Sequence, residues 1–112
     1  MSSSHRMKVL IGIPPKQVNE IMEEYHLNML ETKKGLVFEG ELEDLRAASN
    51  HFVDYLLPPG PTESEIQEAV DKYDVQLKQT EMGPTLQGTM YNINEAILYI
   101  IDVLEKRIDE EL

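Results

Sequence analysis

The chain contains no cysteine, which excludes disulfide bridges, thiolate zinc sites and thiol nucleophiles. No apolar run approaches the ~20 residues that a membrane-spanning helix needs, so no membrane segment is expected. The polar residues 1–7 lack the apolar centre of a signal peptide. They are interpreted as a disordered lead-in, with Met1 or Met7 as the native start, and a cytoplasmic protein is the default expectation.

Basic residues are also scarce, since 10 lysines and arginines face 21 acids and give a net charge of −11. Residues 14–57 carry 4 bases and 9 acids, and residues 62–105 carry 2 bases and 9 acids, so a basic surface is not expected in either half. Nucleic-acid binding depends on cations that neutralise phosphates. Direct binding of nucleic acid is therefore not expected.

An internal repeat organises the 112 residues. Residues 14–57 align without a gap to residues 62–105, and the apolar pattern agrees segment by segment. We therefore predict a single domain, residues 8–112, made of pseudo-repeats 8–57 and 62–108 joined by the proline-rich linker 58–61. Eight aligned pairs are identical: Glu20/Glu68, Tyr25/Tyr73, Thr32/Thr80, Gly35/Gly83, Gly40/Gly88, Ala48/Ala96, Asp54/Asp102 and Leu56/Leu104.

The spacing within each repeat predicts the order helix, strand, strand, helix. Apolar residues recur at helical spacing before Tyr25 and Tyr73, and alternation of period two follows. The second helix is predicted over residues 44–56 and again over 92–108. One leading strand, residues 8–13, has no evident counterpart. The predicted class is α+β, with two tandem α-β-β-α units and the leading strand forming one antiparallel-rich sheet of five strands that carries its helices on one face.

No catalytic residue and no cofactor site is identified, because no nucleophile elbow, P-loop or dinucleotide fingerprint occurs. Glu23 and His26 have the spacing of di-iron ligands, but the second repeat has no matching pair. His26 is interpreted as a cation at a helix end and His51 as a surface residue. Glu39 and Glu41 share one strand face and are a weaker candidate for a ligand or metal site.

The last helix is the strongest departure from the repeat. Residues 97–101 are apolar on every side, whereas their counterparts in the first unit are polar on the outward face. Leu98 and Ile101 would then lie outward with Tyr99 between them, and exposed apolar stripes of this kind mark association surfaces. Alternatively, the helix is the central one of the molecule and is buried on several sides.

The first unit resembles the small dimerising subunit of the KEOPS complex, which takes part in making threonylcarbamoyladenosine in tRNA. The resemblance covers residues 8–57: the leading strand runs into Pro14-Pro15, and Leu45-Arg46 with Asn50 follows the last strand. It implies a compact β-α-β-β-α unit in which the second helix and the sheet carry dimerisation and contact a kinase-like catalytic subunit. Arg46 and Asn50 therefore join Leu98, Tyr99 and Ile101 as candidate interaction residues.

Two classes of function remain open from the sequence. The favoured one is a non-catalytic assembly or adaptor subunit that binds a protein partner, or itself, through the last helix. The alternative is a domain that binds a small ligand or metal between the two repeats. An enzyme that uses dispersed carboxylates at the junction of the repeats ranks below both.

Overall fold

The structure, a computed structural model, describes residues 4–10 and 12–111. Among these residues, four helices and six strands confirm the α+β class. Within these residues no helix combines the length and the apolar character needed to cross a membrane. The elements are β1 His5–Lys8, α1 Pro15–Tyr25, β2 Asn28–Thr32, β3 Gly35–Gly40, α2 Leu42–Ser49, β4 Phe52–Leu56, α3 Glu63–Tyr73, β5 Gln76–Thr80, β6 Gly83–Thr89 and α4 Met90–Glu111.

The strands form two antiparallel sheets of three, ordered β1-β3-β2 and β4-β6-β5. Their registers agree at an offset of 48 residues: Met7 lies opposite Phe38 in the first sheet, and Tyr55 lies opposite Leu86 in the second. The prediction of five strands in one sheet is therefore wrong. The leading strand does have a counterpart, β4, so the backbone repeat runs β-α-β-β-α in each half.

The second helix is much shorter than the predicted span 44–56. Helix α2 ends at Ser49, where the Ser49 hydroxyl and the Asn50 amide both donate to the Arg46 carbonyl. Such local side-chain bonds compete with continuation of a helix. Val53 and Tyr55 are buried while their neighbours in β4 are more exposed, which is the alternation of a strand rather than the stripe of a helix.

Strand β1 begins earlier than expected. It occupies His5–Lys8, so part of the predicted disordered lead-in is hydrogen-bonded to β3. Only Lys8 belongs to both β1 and the predicted strand 8–13. Met1 and Ile11, which also entered those predictions, lie outside the described residues.

The first helix of each half begins and ends at the positions that the repeat predicts. Helix α1 follows Pro14, and α3 follows Thr62, whose hydroxyl accepts a bond from the Glu65 backbone in a capping box. After the last residue of each helix, His26 and Asp74 adopt left-handed conformations with φ of 56° and 54°. The two αL caps turn the chain into β2 and β5 in the same way.

Both halves contribute to one apolar core. The least accessible large side chains are Phe38, Ile21, Leu86, Ile93 and Val53. The paired glycines on the inward face make room for the residue that precedes the first strand of each hairpin. A Cβ on Gly40 would lie 2.6 Å from Leu27, and one on Gly88 would lie 3.0 Å from Val75.

Candidate interaction surface

Helix α4 presents one apolar face to the core and another to solvent. Its inward residues include Ile93 and Ile100, which are almost fully buried. Its outward residues span about 100° of the helix circumference at 3.6 residues per turn. We call them the α4 stripe: Tyr91 (58% exposed), Leu98 (54%), Ile101 (45%) and Ile108 (57%).

Leu98, Ile101 and Ile108 of the stripe lie on the part of α4 that has no counterpart in α2. Helices α2 and α4 start at equivalent positions, Leu42 and Met90, but α2 has 8 residues and α4 has 22. After α2 the chain turns back into β4, whereas α4 continues and packs along α3. Of the two possibilities left open by the sequence, the structure shows Leu98 and Ile101 at the surface and not within the core.

The distal part of α4 is held against the start of α3. The Arg107 guanidinium donates to the Gly60 carbonyl at 3.2 Å and forms an ion pair with Glu65. The hydrogen bond that Arg107 donates to the Glu65 carboxylate, followed by the one from the backbone N–H of Thr62, lowers the pKa of this carboxyl. The helix therefore remains anchored at its C-terminal end while its outer face stays free.

Tyr99, the third residue predicted for this surface, lies on the side of α4 that faces α3. Its hydroxyl donates to a Glu68 carboxylate oxygen at 2.6 Å, and its ring packs against Tyr73. The Lys72 ammonium lies 5.0 Å from the ring centroid, and the bond to Glu68 raises the pKa of the Tyr99 hydroxyl. The structure thus places Tyr99 in the contact between the two helices.

Arg46 and Asn50 lie exposed at the C-terminal end of α2. The Asn50 amide bonds to the Arg46 carbonyl, so it terminates the helix as well as facing solvent. A small depression of about 120 Å³ is lined by Ser49 at the end of α2 and by Tyr91 and Asn94 at the start of α4. Arg46 and Asn50 at the end of α2 and the α4 stripe therefore belong to helices that contact each other.

Glu39 and Glu41, the alternative candidates for a ligand or metal site, do not form a cation site together. Glu39 pairs with the Arg6 guanidinium at 3.3 Å, and Glu41 precedes α2 as its exposed N-cap residue. In the described ranges, no cluster of three or more histidine, aspartate or glutamate side chains could hold a metal ion. Glu23 and His26 likewise gain no third ligand there.

His51 has a structural role that the sequence did not indicate. It lies in the bend after α2, and its ring is 3.0 Å from the Tyr25 hydroxyl and 3.5 Å from Glu24. The Tyr25 and His51 rings meet edge to face. These contacts tie the end of α1 to the turn that leads into the second half, over a sequence separation that local patterns do not reveal.

A cleft of about 480 Å³ lies where the two halves meet. The Asp54 carboxylate accepts bonds from the Gln17 and Gln87 amides at 2.8 and 2.9 Å, and Gln17 accepts the backbone N–H of Asp54. The sequence pattern does not predict this arrangement, because it places Asp54 on a helix. The cleft is lined by Gly12, Ile13, Pro14, Pro15, Asp54, Leu56, Thr80, Met82, Thr85 and Gln87.

Comparisons with known proteins return no relative. No protein-family model matches the chain, and neither a curated protein nor a solved structure is significantly similar to it. The chemistry and geometry described above are therefore what function has to be argued from.

Proposed function

We propose that this protein is a non-catalytic assembly or adaptor subunit that binds a protein partner through the α4 stripe. The observation that carries the proposal is the exposure of Leu98, Ile101 and Ile108 on one face of a helix that is firmly anchored on its other face. Apolar side chains exposed in this way are stabilised when a partner removes them from water.

The charge around the stripe specifies the partner. Glu105 lies on the stripe between Ile101 and Ile108, and Glu95 and Asp109 lie beside it. None of the three has a cation within 4 Å in the described part of the chain. Two copies of α4 packed through the stripe would bring these carboxylates together, which is unfavourable. The fitting partner is a different protein whose apolar surface, most simply one face of a helix, is bordered by lysines or arginines.

The resemblance to the KEOPS dimerising subunit supports the same class of role. Under that hypothesis the partner is the kinase-like catalytic subunit, and the duplicated backbone corresponds to two dimerising units in one chain. The proposal that α4 carries the contact does not depend on this assignment, because it is argued from the helix itself.

The test is capture of partners by three forms of the purified chain. Leu98→Glu with Ile101→Glu places two charges on the stripe, and Met82→Glu is the control for an exposed charge elsewhere, because Met82 is 78% exposed in the hairpin between β5 and β6. All three forms should unfold at similar temperatures, since exposed substitutions change stability by about 0.5 kcal/mol or less. We expect the wild type and the control to retain the same stoichiometric partner and the double variant to lose it.

Equal capture by all three forms would contradict the proposed surface. If the chain captures only other copies of itself, and light scattering shows a mass that rises with concentration, the partner is a second copy of the chain and not a different protein. A wild-type chain that captures nothing and remains monomeric would contradict the adaptor function altogether.

The cleft between the halves supports a second candidate function, the binding of a small ligand. Its volume lies within the range of small-molecule sites, and Asp54 supplies a carboxylate to its wall. A ligand bound only by the folded state would raise the melting temperature. A shift of several degrees with one compound from a metabolite panel, abolished by Leu56→Glu, would support this function, and no shift across the panel would argue against it.

A further inference from the structure

Four of the ten lysines and arginines of this acidic chain gather at one place. They surround a shallow depression of about 450 Å³ on the outer face of the first sheet, beside the hairpin between β2 and β3. We call this the cationic depression. Its lining consists of Arg6, Lys8, Thr32, Lys33, Lys34 and Val37.

Most of this charge is not neutralised within the chain. The Arg6 guanidinium uses its Nε to pair with Glu39, which leaves its terminal nitrogens as further donors. Lys8, Lys33 and Lys34 have no carboxylate within 4 Å in the part of the chain that the structure describes. Neighbouring unpaired cations repel one another, so an anion placed among them would gain from all of them.

The second half shows that the fold does not require this composition. At an offset of 48 residues, Arg6 and Lys8 become Asp54 and Leu56, while Lys33 and Lys34 become Glu81 and Met82. The hairpins nevertheless match, because Thr32 and Thr80 each donate to the carbonyl of the glycine three residues later. Four cations therefore occupy positions where the same backbone accepts two acids and two apolar residues.

We infer that the cationic depression binds a compact anion carrying several phosphates, such as the polyphosphate group of a small molecule. Lysine ammonium groups bind phosphate as point charges, and the Arg6 guanidinium can contact phosphate oxygens directly. The volume suits a small molecule rather than a long polymer. No aromatic side chain lines the depression for base stacking, and the net charge of −11 repels a polyanion that extends beyond it.

The experiment is a calorimetric titration with sodium tripolyphosphate at low salt and without divalent cations. The test variant is Lys33→Glu with Lys34→Met, which installs the residues of the equivalent hairpin in the second half. The control, Lys16→Glu with Lys78→Met, changes the net charge equally at exposed positions elsewhere. We expect the test variant to bind at least about tenfold more weakly than the wild type, because it removes two charge-assisted contacts.

The control variant should bind tripolyphosphate with an affinity within about twofold of that of the wild type. Added salt should weaken the binding by the wild type and by the control variant. Equal binding of tripolyphosphate and a nucleoside triphosphate would show that the phosphates alone are recognised, and tighter binding of the nucleotide would add a contact to its nucleoside. Absence of binding by the wild type, or equal weakening in both variants, would overturn the site. Tighter binding of a single-stranded oligonucleotide than of tripolyphosphate would contradict the proposal that the ligand is a compact anion.

Discussion

The two halves of this molecule follow the same backbone path but present different surfaces. Their strands pair in the same register, and their first helices start and end at equivalent residues. On the outer face of the sheet, the first half carries cations and the second half carries acids beside a cleft. The second helix ends after 8 residues in one half and continues for 22 in the other.

Comparing the two halves distinguishes positions that the fold requires from positions that are free to acquire a function. Buried positions remain apolar in both halves even where the residue differs, as Phe38 and Leu86 illustrate. Surface positions are free to diverge, because exposed substitutions affect stability little. The features that distinguish the halves, namely the α4 stripe and the cationic depression, are therefore the ones to connect with function.

The largest expected effect concerns the shared core. Phe38→Ala and Leu86→Ala each empty a fully buried position at equivalent places, and each should lower the free energy of unfolding by about 2–5 kcal/mol. Because the core is continuous across both halves, each variant should shift one cooperative transition in calorimetry. Two separate transitions, with only the altered half affected, would show that the halves fold independently.

The next effect concerns the junction between the two halves, where Gln17 bonds to Asp54 of β4. Gln17→Ala removes the acceptor of the Asp54 backbone N–H and a donor to its carboxylate. Loss of a partner for this partly buried group should cost about 1–3 kcal/mol in urea unfolding. Gln67→Ala is the control, since Gln67 bonds only to Asp71 on an exposed helix face. Equal effects of the two substitutions would contradict a structural role for the junction.

A smaller effect distinguishes the two helix starts. Thr62→Ala removes the capping box of α3 and should destabilise the protein by about 1 kcal/mol, measured by thermal unfolding. Ser64→Ala in the same turn is the comparison and should change stability by about 0.5 kcal/mol or less. Helix α1 has no side-chain cap to lose, because Pro14 occupies the equivalent position. A silent Thr62→Ala variant would show that tertiary packing alone fixes the start of α3.

The smallest effect is the pH dependence that Arg107 confers on the second half. The folded-state pKa of Glu65 lies below its usual 4.5, so the ion pair stabilises the fold above that pH and is lost as the pH falls through the folded pKa. An NMR titration should place the Glu65 midpoint below 4.5, and Arg107→Gln should move it upward. Arg46→Gln, which alters a distant arginine, should leave it unchanged. A midpoint insensitive to Arg107 would contradict the ion pair.

Much of the architecture could be predicted from local pattern. Helix starts at Pro14 and Thr62 and the glycine-containing hairpins follow from local chemistry, and the repeat transfers them from one half to the other. Strand β4 is not predicted, because Leu45, Ala48 and Phe52 have the spacing of one continuous helix. In the structure the helix ends between them, where the side chains of Ser49 and Asn50 bond to the Arg46 carbonyl. The alternation of β4 is visible in the sequence only if the helix is ended there.

Some residues of the candidate surfaces could be predicted from the sequence and others could not, for a physical reason. Leu98 and Ile101 are in excess of what one buried helix face needs, so the sequence of α4 singles them out but leaves open whether they are exposed or buried by a second contact. The junction of Gln17 with Asp54 and the gathering of Arg6 with Lys33 and Lys34 depend on strand pairing between segments distant in sequence. No local periodicity encodes such contacts, and the cationic depression became visible only once the register of β1 on β3 was known.

The most direct test of the proposed adaptor function is photo-crosslinking in the native cell. A photoreactive amino acid would replace Leu98 in one form of the chain and Met82 in another, since both side chains are exposed but only Leu98 lies on the α4 stripe. The account predicts a crosslinked adduct with a second, different polypeptide from position 98 and none from position 82. No adduct from position 98, or the same adducts from both positions, would contradict it.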